Sequence, residues 1–309
     1  MTRLKKEIPF MKYRWLMLIV SMAIVAAGLA AVAVKGLNFG TDFTGGLKFI
    51  YQFQNSVNEG ALTDALRQAG LSHVVVQRFG EAKANTFIVK SEQIEGLEEG
   101  FSRPFNQAFE KTFGAGSFQM LQEEFVGPKV GKELRTKGLY AVLWAWVIML
   151  IYIGFRFDFY FAPGAIIALI HDVLVAVGIF ALLGLEVNLT VVAAILTIIG
   201  YSINDTIIVF DRIREDLQKH KGMGLVEVVN KSINETLSRT IITSLTVFFV
   251  VTVLYFRTDG DIKNFAFAMM IGVITGSYSS ISIASPVFIF LKQHGHRFGL
   301  GKGAAGAKA

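Results

Sequence analysis

Six apolar stretches leave this chain little choice of environment. They run near 15–34, 139–155, 162–184, 189–210, 240–256 and 264–291. About 20 apolar residues suffice for a helix to cross the hydrocarbon of a bilayer, and in lipid every backbone polar group must find its partner within the span. Six transmembrane helices are therefore expected. Charged residues make up 17% of the 309, below the roughly 25% of soluble domains, so the soluble portion is small. The first stretch is too long for a signal peptide and no small-x-small cleavage site follows it. The absence of cysteine excludes a disulfide framework, a thiol nucleophile and a zinc ribbon.

Basic residues set the expected orientation. Residues 1–14 carry Arg3, Lys5, Lys6, Lys12 and Arg14 against Glu7. The segment 211–239 carries Arg212, Arg214, Lys219, Lys221, Lys231 and Arg239, and the tail 292–309 carries Lys292, Arg297, Lys302 and Lys308. The positive-inside rule places both termini in the cytoplasm. This distribution accounts for the net charge of +6 through topology and contact with membrane lipids, not through nucleic acid. In the short turn before Pro163, Arg156 and Asp158 read as interfacial anchors.

Residues 35–138 then form the external part. Leu47–Phe53 alternates as a strand, Asn58 caps a helix with Leu62, Ala65, Leu66 and Ala69 on one face, and 74–79 and 86–89 make a hairpin across 80–85. A second helix over 96–113 and a last strand over 118–125 complete βαββαβ, a ferredoxin-like order. The expected fold class is thus an α-helical membrane protein of six spans, with one external ferredoxin-like α+β domain between the first and second. In 211–239, Leu225, Val228, Val229, Ser232, Ile233 and Leu237 recur at helical spacing. An amphipathic helix on the inner leaflet and a helix packed on neighbouring spans fit equally well. The Gly/Ala/Lys-rich tail from Gly299 reads as disordered.

Two carboxylates lie inside spans, Asp172 after His171 in the third and Asp205 after Asn204 in the fourth. A charged group at a span's centre costs roughly 2.5–3.5 kcal/mol on insertion scales, and such residues face partners, cavities or ion paths. Arg239 opens the fifth span on the side to which Asp205 is nearer, so Asp172, Asp205 and Arg239 can meet in one cluster. Removal from water favours a protonated carboxyl and an adjacent guanidinium favours the charged form, so relative movement of the two couples proton binding to a helix shift. A fixed hydrogen-bonded network gluing the helices uses the same residues. Gly272, Gly276 and Ser280 in the last span are spaced for close helix packing. Asp42, Gly45 and Gly46, after the first span, read as a turn or hinge leading into the first strand. No nucleotide-binding loop, metal-ligand cluster or Ser/His/Asp arrangement is apparent, so no enzymatic activity and no cofactor other than protons is expected.

Several of these stretches carry a resemblance. Leu37–Gly46 (LNFGTDFTGG), Ala168–Asp172 (ALIHD), Gly200–Glu215 (GYSINDTIIVFDRIRE) and Asn234–Thr240 (NETLSRT) resemble the SecD/SecF family of bacterial protein-export membrane proteins, related to the resistance-nodulation-division transporters. The resemblance covers the chain from first span to last. It implies a bacterial inner-membrane protein paired with a second six-span chain, SecD, and associated with the SecYEG channel, YajC being a further candidate partner. It implies that the pair uses the proton gradient to assist translocation of unfolded preproteins and their release outside, after the SecA ATPase has pushed the chain inward. In that family a fourth-span Asp and a fifth-span Arg are implicated in proton conduction, and they match Asp205 and Arg239. A purely structural subunit of the translocase and a half-size small-molecule exporter are the rival readings.

Overall fold

The computed structural model describes residues 7–71, 73–80, 84–91, 101–157 and 160–294. Arg3, Lys5, Lys6, Asp158, Arg297, Lys302, Lys308, the tail from Gly299 and the 96–100 start of the second expected external helix lie outside the described residues. A 3₁₀ turn over Phe10–Tyr13 leads into α1 (Arg14–Lys35), whose 22 residues reach about 33 Å at 1.5 Å per residue. Then follow β1 (Asn38–Phe39), α2 (Thr41–Thr44), β2 (Gly46–Phe53), α3 (Glu59–Gln68), β3 (Val74–Phe79), β4 (Thr86–Ser91), α4 (Arg103–Phe113) and β5 (Phe118–Val126). The remaining chain forms α5 (Pro128–Arg156), α6 (Ala162–Leu183), β6 (Glu186–Val187), α7 (Leu189–Lys219), α8 (Leu225–Arg257) and α9 (Gly260–Ser279), which passes through a π-helical turn, Ser280–Ala284, into α10 (Ser285–His294). Six of these helical stretches are long and apolar enough to cross a membrane, the last spanning Gly260–His294.

The small domain is a four-stranded sheet in the order β3-β4-β2-β5 with every neighbouring pair antiparallel. This is the ferredoxin-like arrangement that the strand and helix order implied. Strict alternation in β2 sends Leu47, Phe49, Tyr51 and Phe53 into a core with Leu62 and Leu66 of α3 and Phe105 and Phe109 of α4. Asn58 caps α3 as expected, accepting from the Ala61 amide at 2.7 Å.

The other face of the sheet is turned to the membrane helices. Lys48 and Lys90 sit directly opposite one another on β2 and β4, a pairing of like charges that destabilises an isolated sheet. Each is neutralised from below. Lys48 Nζ lies 2.7 Å from Asp261, in the first turn of α9, and 3.3 Å from Glu124 on β5; Lys90 pairs with Glu186 of β6. Burial pulls the Lys48 ammonium down, but Asp261 and Glu124 more than offset it and leave Lys48 above the ordinary lysine value. Asn188 donates to the second Asp261 oxygen at 2.7 Å, and the Gly80 amide donates to Asp259 at 3.0 Å. A parallel two-residue ribbon, Asn38–Phe39 with Glu186–Val187, ties the link after α1 to the top of α7.

The bundle centre is built from α6, α7 and α9, whose apolar windows are the most enclosed, while α1 and α5 expose most of theirs. Glycine permits the closest approach. A Cβ on Gly178 of α6 would stand 2.6 Å from the Gly28 Cα of α1, so these helices meet backbone to backbone. Along the last span, Gly272 and Gly276 of α9 and Ser280 of the π-helical turn face Ile198, Ser202 and Thr206 of α7 in a parallel register of every fourth residue: side-chain contact at the first two and a 2.9 Å hydroxyl pair at the third.

Helix ends depart from the expected limits. α5 starts at Pro128, α7 continues to Lys219 and α8 is unbroken from Leu225 to Arg257. The segment expected as a separate amphipathic helix in 211–239 is therefore the end of α7 and the first half of α8. Val228, Val229, Ser232, Ile233 and Leu237 are buried by packing on the chain itself, which decides between the two readings. Apolar runs mark only the hydrocarbon thickness, whereas backbone hydrogen bonding continues into the polar zone wherever nothing breaks the helix. Asn230 and Asn234, one turn apart, hold the N-terminal segment on α8: Asn234 takes the Ile8 amide at 2.8 Å and returns a bond to its carbonyl at 2.9 Å, and Asn230 takes the Met11 amide at 3.2 Å.

Candidate functional site: two buried carboxylates among hydroxyls

Asp172 of α6 and Asp205 of α7 both lie inside the bundle, at 0% and 1% exposure. Both are held by hydroxyls from α7, α8 and α9, yet they differ in how far they are satisfied. Asp172 Oδ2 accepts from Ser202 Oγ at 2.6 Å and from Ser279 Oγ at 2.8 Å, while Oδ1 lies 3.0 Å from His171 Nδ1. Asp205 Oδ2 has Ser244 and Ser277 at 3.4 Å each, long for hydrogen bonds, and these two hydroxyls bond one another at 2.6 Å. Asp205 Oδ1 has no hydrogen-bond partner among the described residues.

The local sequence explains the juxtaposition. Ser202 and Asp205 are three residues apart on α7 and so share a face. Ser277 and Ser279 lie within a single turn of α9 and reach different carboxylates. Thr206 and Ser280 close the group from the side of the π-helical turn, a local widening of the helix frequent at functional sites. Of the serines in the last span, the sequence reading singled out Ser280 alone, and that one for helix packing. Their signal was available: Ser277, Ser279, Ser280, Ser282 and Ser285 crowd an otherwise apolar span.

Not every expected residue joins the site. Arg239 is exposed and makes no ion pair among the described residues; it acts on Asp205 only through its field. The expected cluster of Asp172, Asp205 and Arg239 is thus two buried carboxylates with the guanidinium held apart. Helical phase is the reason, since Ser244 occupies the inward face of α8 that meets Asp205. Asn204 is exposed too, on the α7 face that also carries Thr197 and Gly200, and bonds no other helix among the described residues. Asp42 does not cap its own turn: its carboxylate accepts the Leu189 amide at 2.9 Å and so caps α7. Gly45 and Gly46 adopt φ of +78° and +138°, and a Cβ at Gly45 would stand 2.9 Å from Pro128 Cα. The glycines thus weld the link to the start of α5.

A second charged group lies at the opposite end of α7 and was not anticipated. Asp216 is fully buried, 3.3 Å from Arg212 Nε and accepting from Ser232 Oγ at 2.8 Å. Arg212 also pairs with Glu215 at 2.6 Å and with Glu235 of α8. These contacts staple α7 to α8 where α7 leaves the apolar zone.

Six helices long and apolar enough to cross a membrane, one ferredoxin-like domain after the first, and two carboxylates enclosed by the central helices define a class of multi-pass membrane proteins with buried ionisable groups. The sequence comparisons identify the family. Residues 105–294 match the family described as "Protein export membrane protein SecD/SecF, C-terminal", and residues 30–57 match the "SecD/SecF GG Motif". The chain is 42% identical to the protein translocase subunit SecF of Desulfurispirillum indicum, over 92% of this chain and 91% of that one. It is 38% identical to SecF of Vibrio alginolyticus, over 94% and 92%. Among solved structures it superposes on SecDF of Thermus thermophilus, described as a translocon-associated membrane protein, with a TM-score of 0.83 at 33% identity, covering 95% of this chain and 40% of that longer one. It superposes on SecDF in a super-membrane-facing form with a TM-score of 0.72, also at 33% identity, over 97% of this chain and 40% of the other. The chain belongs to the SecD/SecF family, and its full-length relatives are SecF subunits of the protein translocase.

Proposed function

We propose that this chain works with a SecD-type partner to draw on the proton gradient in assisting preprotein translocation and release on the external side. The observation that carries the reading is Asp205: buried, ringed by weakly bound hydroxyls and left with one unpaired oxygen. Asp172 has both oxygens engaged, and Asp216, whose Oδ1 also lacks a hydrogen-bond partner, has Arg212 beside it at 3.3 Å; among the described residues Asp205 has neither. A proton on Oδ1 removes the buried charge and weakens the long-range pull of Arg239, which frees α8 to shift against α7. One charge crossing the membrane potential carries about 2.3 kcal/mol per 100 mV. That is enough to bias a weak grip on an unfolded segment, not to unfold a stable domain.

The SecDF neighbour contains a further 60% of chain beyond the part this protein covers (100% less the 40% matched), which supports a SecD-type chain as partner. The face of α7 with Thr197, Gly200 and Asn204 suits it, because nothing among the described residues lies within 4 Å of a Cβ at Gly200 and small and polar residues drive helix association in lipid. The SecYEG channel and YajC enter as further partners through the family resemblance. The clustering of Lys and Arg at both ends and in 211–239 supports cytoplasmic termini in a bacterial inner membrane.

The test is export into inverted membrane vesicles containing wild type or Asp205→Asn at equal protein levels, with and without a proton gradient. Loss of only the gradient-dependent part is expected. A variant that matches wild type under all conditions leaves Asp205 a structural group and overturns the reading.

A further inference from the structure

The buried polar atoms of the bundle point to a second proton acceptor. His171 is 7% exposed and its Nε2 has no hydrogen-bond partner among the described residues. Its Nδ1 lies 3.0 Å from Asp172 Oδ1. Asp172 Oδ2 already takes two hydroxyl hydrogens, from Ser202 and Ser279. The two hydroxyl donors on Oδ2 favour the charged carboxylate, and beside a charged Asp172 the single hydrogen of the 3.0 Å contact belongs to Nδ1. Nε2 is then a bare lone pair enclosed in the protein, and the dyad carries one net negative charge away from water. Such a charge is tolerated inside a membrane only when something neutralises it, and no ion pair reaches Asp172 among the described residues except the one with His171.

We infer that the His171–Asp172 dyad is a second proton-binding station, and that the proton enters at His171 Nε2. The inference rests on the proton-coupled reading of the bundle and adds a group to it. In the step, a hydronium ion or a hydroxyl donor backed by water gives up a proton. An N–H bond forms at Nε2, the imidazole becomes cationic, and the dyad goes from one negative charge to none. Asp172 keeps its three donors throughout and acts as the positioning residue that holds the ring and stabilises its charge.

The groups facing the dyad are few. From α9 come Ser279 and the Tyr278 ring, its centroid 6.3 Å from the imidazole. The Tyr278 hydroxyl donates to the Met17 carbonyl at 2.9 Å and accepts from Ser21 Oγ at 3.0 Å, so it is committed to α1. From α7 come Ser202 and, one turn on, Asp205. Both carboxylates are thus bonded from α9, by Ser277 and Ser279, immediately before the π-helical turn. A change of charge at either one is felt by the same stretch of helix.

The experiment uses the full chain with its SecD-type partner in lipid nanodiscs, with ¹⁵N-labelled imidazoles and infrared detection of carboxyl groups. Samples are compared between about pH 9 and about pH 4, which brackets ordinary histidine and carboxyl titration. In wild type, one buried imidazole is expected to start with Nδ1 protonated and Nε2 bare and to gain a hydrogen at Nε2. His171→Gln should remove that signal. Asp172→Asn should move its midpoint by more than tenfold in proton concentration. Asp205→Asn should abolish a separate carboxyl band and leave the imidazole step in place. A His171 that stays in one form over the whole range while the Asp205 band titrates overturns the dyad and leaves the proposed function standing. A titrating His171 with no Asp205 band supports the dyad and removes Asp205 from the route. The wild-type measurement needs no substitution, so a variant that fails to assemble does not blunt the test.

Discussion

Asp172 and Asp205 have the same chemistry but opposite degrees of satisfaction, and their substitutions should differ accordingly. Asp172 is held by two short hydroxyl bonds and an imidazole. Bonds to a charged group contribute about 1.5–3 kcal/mol each. Ser202→Ala is expected to lower stability by about 2 kcal/mol, read as a fall in the midpoint of detergent or thermal unfolding. Ser277→Ala removes a 3.4 Å contact to Asp205 and a neutral hydroxyl bond to Ser244, and should lower the midpoint by less, about 1 kcal/mol. Equal losses in the two variants would show that donor distance does not decide the matter. At this scale the sequence identified the carboxylates but not their partners. Insertion cost singles out an Asp in a span wherever it lies, whereas a serine in a span is cheap and common, so its meaning depends on which group it faces.

Among the elements, contacts between helices and between sheet and bundle fix relative position. The Gly28–Gly178 crossing leaves no room for a side chain. Gly178→Leu is expected to force α1 away from α6, at a cost of about 1–3 kcal/mol from overpacking, seen as faster proteolysis of the N-terminal segment in the folded protein. The opposed Lys48 and Lys90 give the sheet a reason to dock on the bundle, since each finds its carboxylate there. Lys48→Ala leaves Asp261 without its ammonium, and hydrogen exchange of the 258–261 and 186–190 amides should accelerate about tenfold or more, corresponding to roughly 1.4 kcal/mol or above. Unchanged exchange would mean that the ribbon and the Asp259–Gly80 bond suffice. Because Lys48 lies above the ordinary lysine value, its contribution to docking is complete at neutral pH and is lost only as pH rises through that raised value.

For the molecule as a whole, the Thr197–Gly200–Asn204 face of α7 is exposed, and the proposed function assigns it to the SecD-type partner. A Cβ at the exposed Gly200 meets nothing within 4 Å among the described residues, so with Gly200→Leu the isolated protein should fold and unfold as wild type while recovery of the SecD-type partner by co-purification falls at least tenfold. Normal recovery would move the partner to another face. Here the division between sequence and tertiary structure is clear. Apolar run length fixed six spans, alternation and turn chemistry fixed the ferredoxin-like domain, and insertion cost marked Asp172, Asp205 and His171, because each depends on a residue and its near neighbours along the chain. Helical phase and packing decided the rest. They held Arg239 apart from Asp205, turned Asn204 outward, sent Asp42 to cap a helix 147 residues away, merged the amphipathic segment into α8 and gathered serines from three helices around two carboxylates. The physical reason is that a local pattern states which groups must be satisfied, whereas the identity of the satisfying group is settled only when distant segments compete for the same buried space.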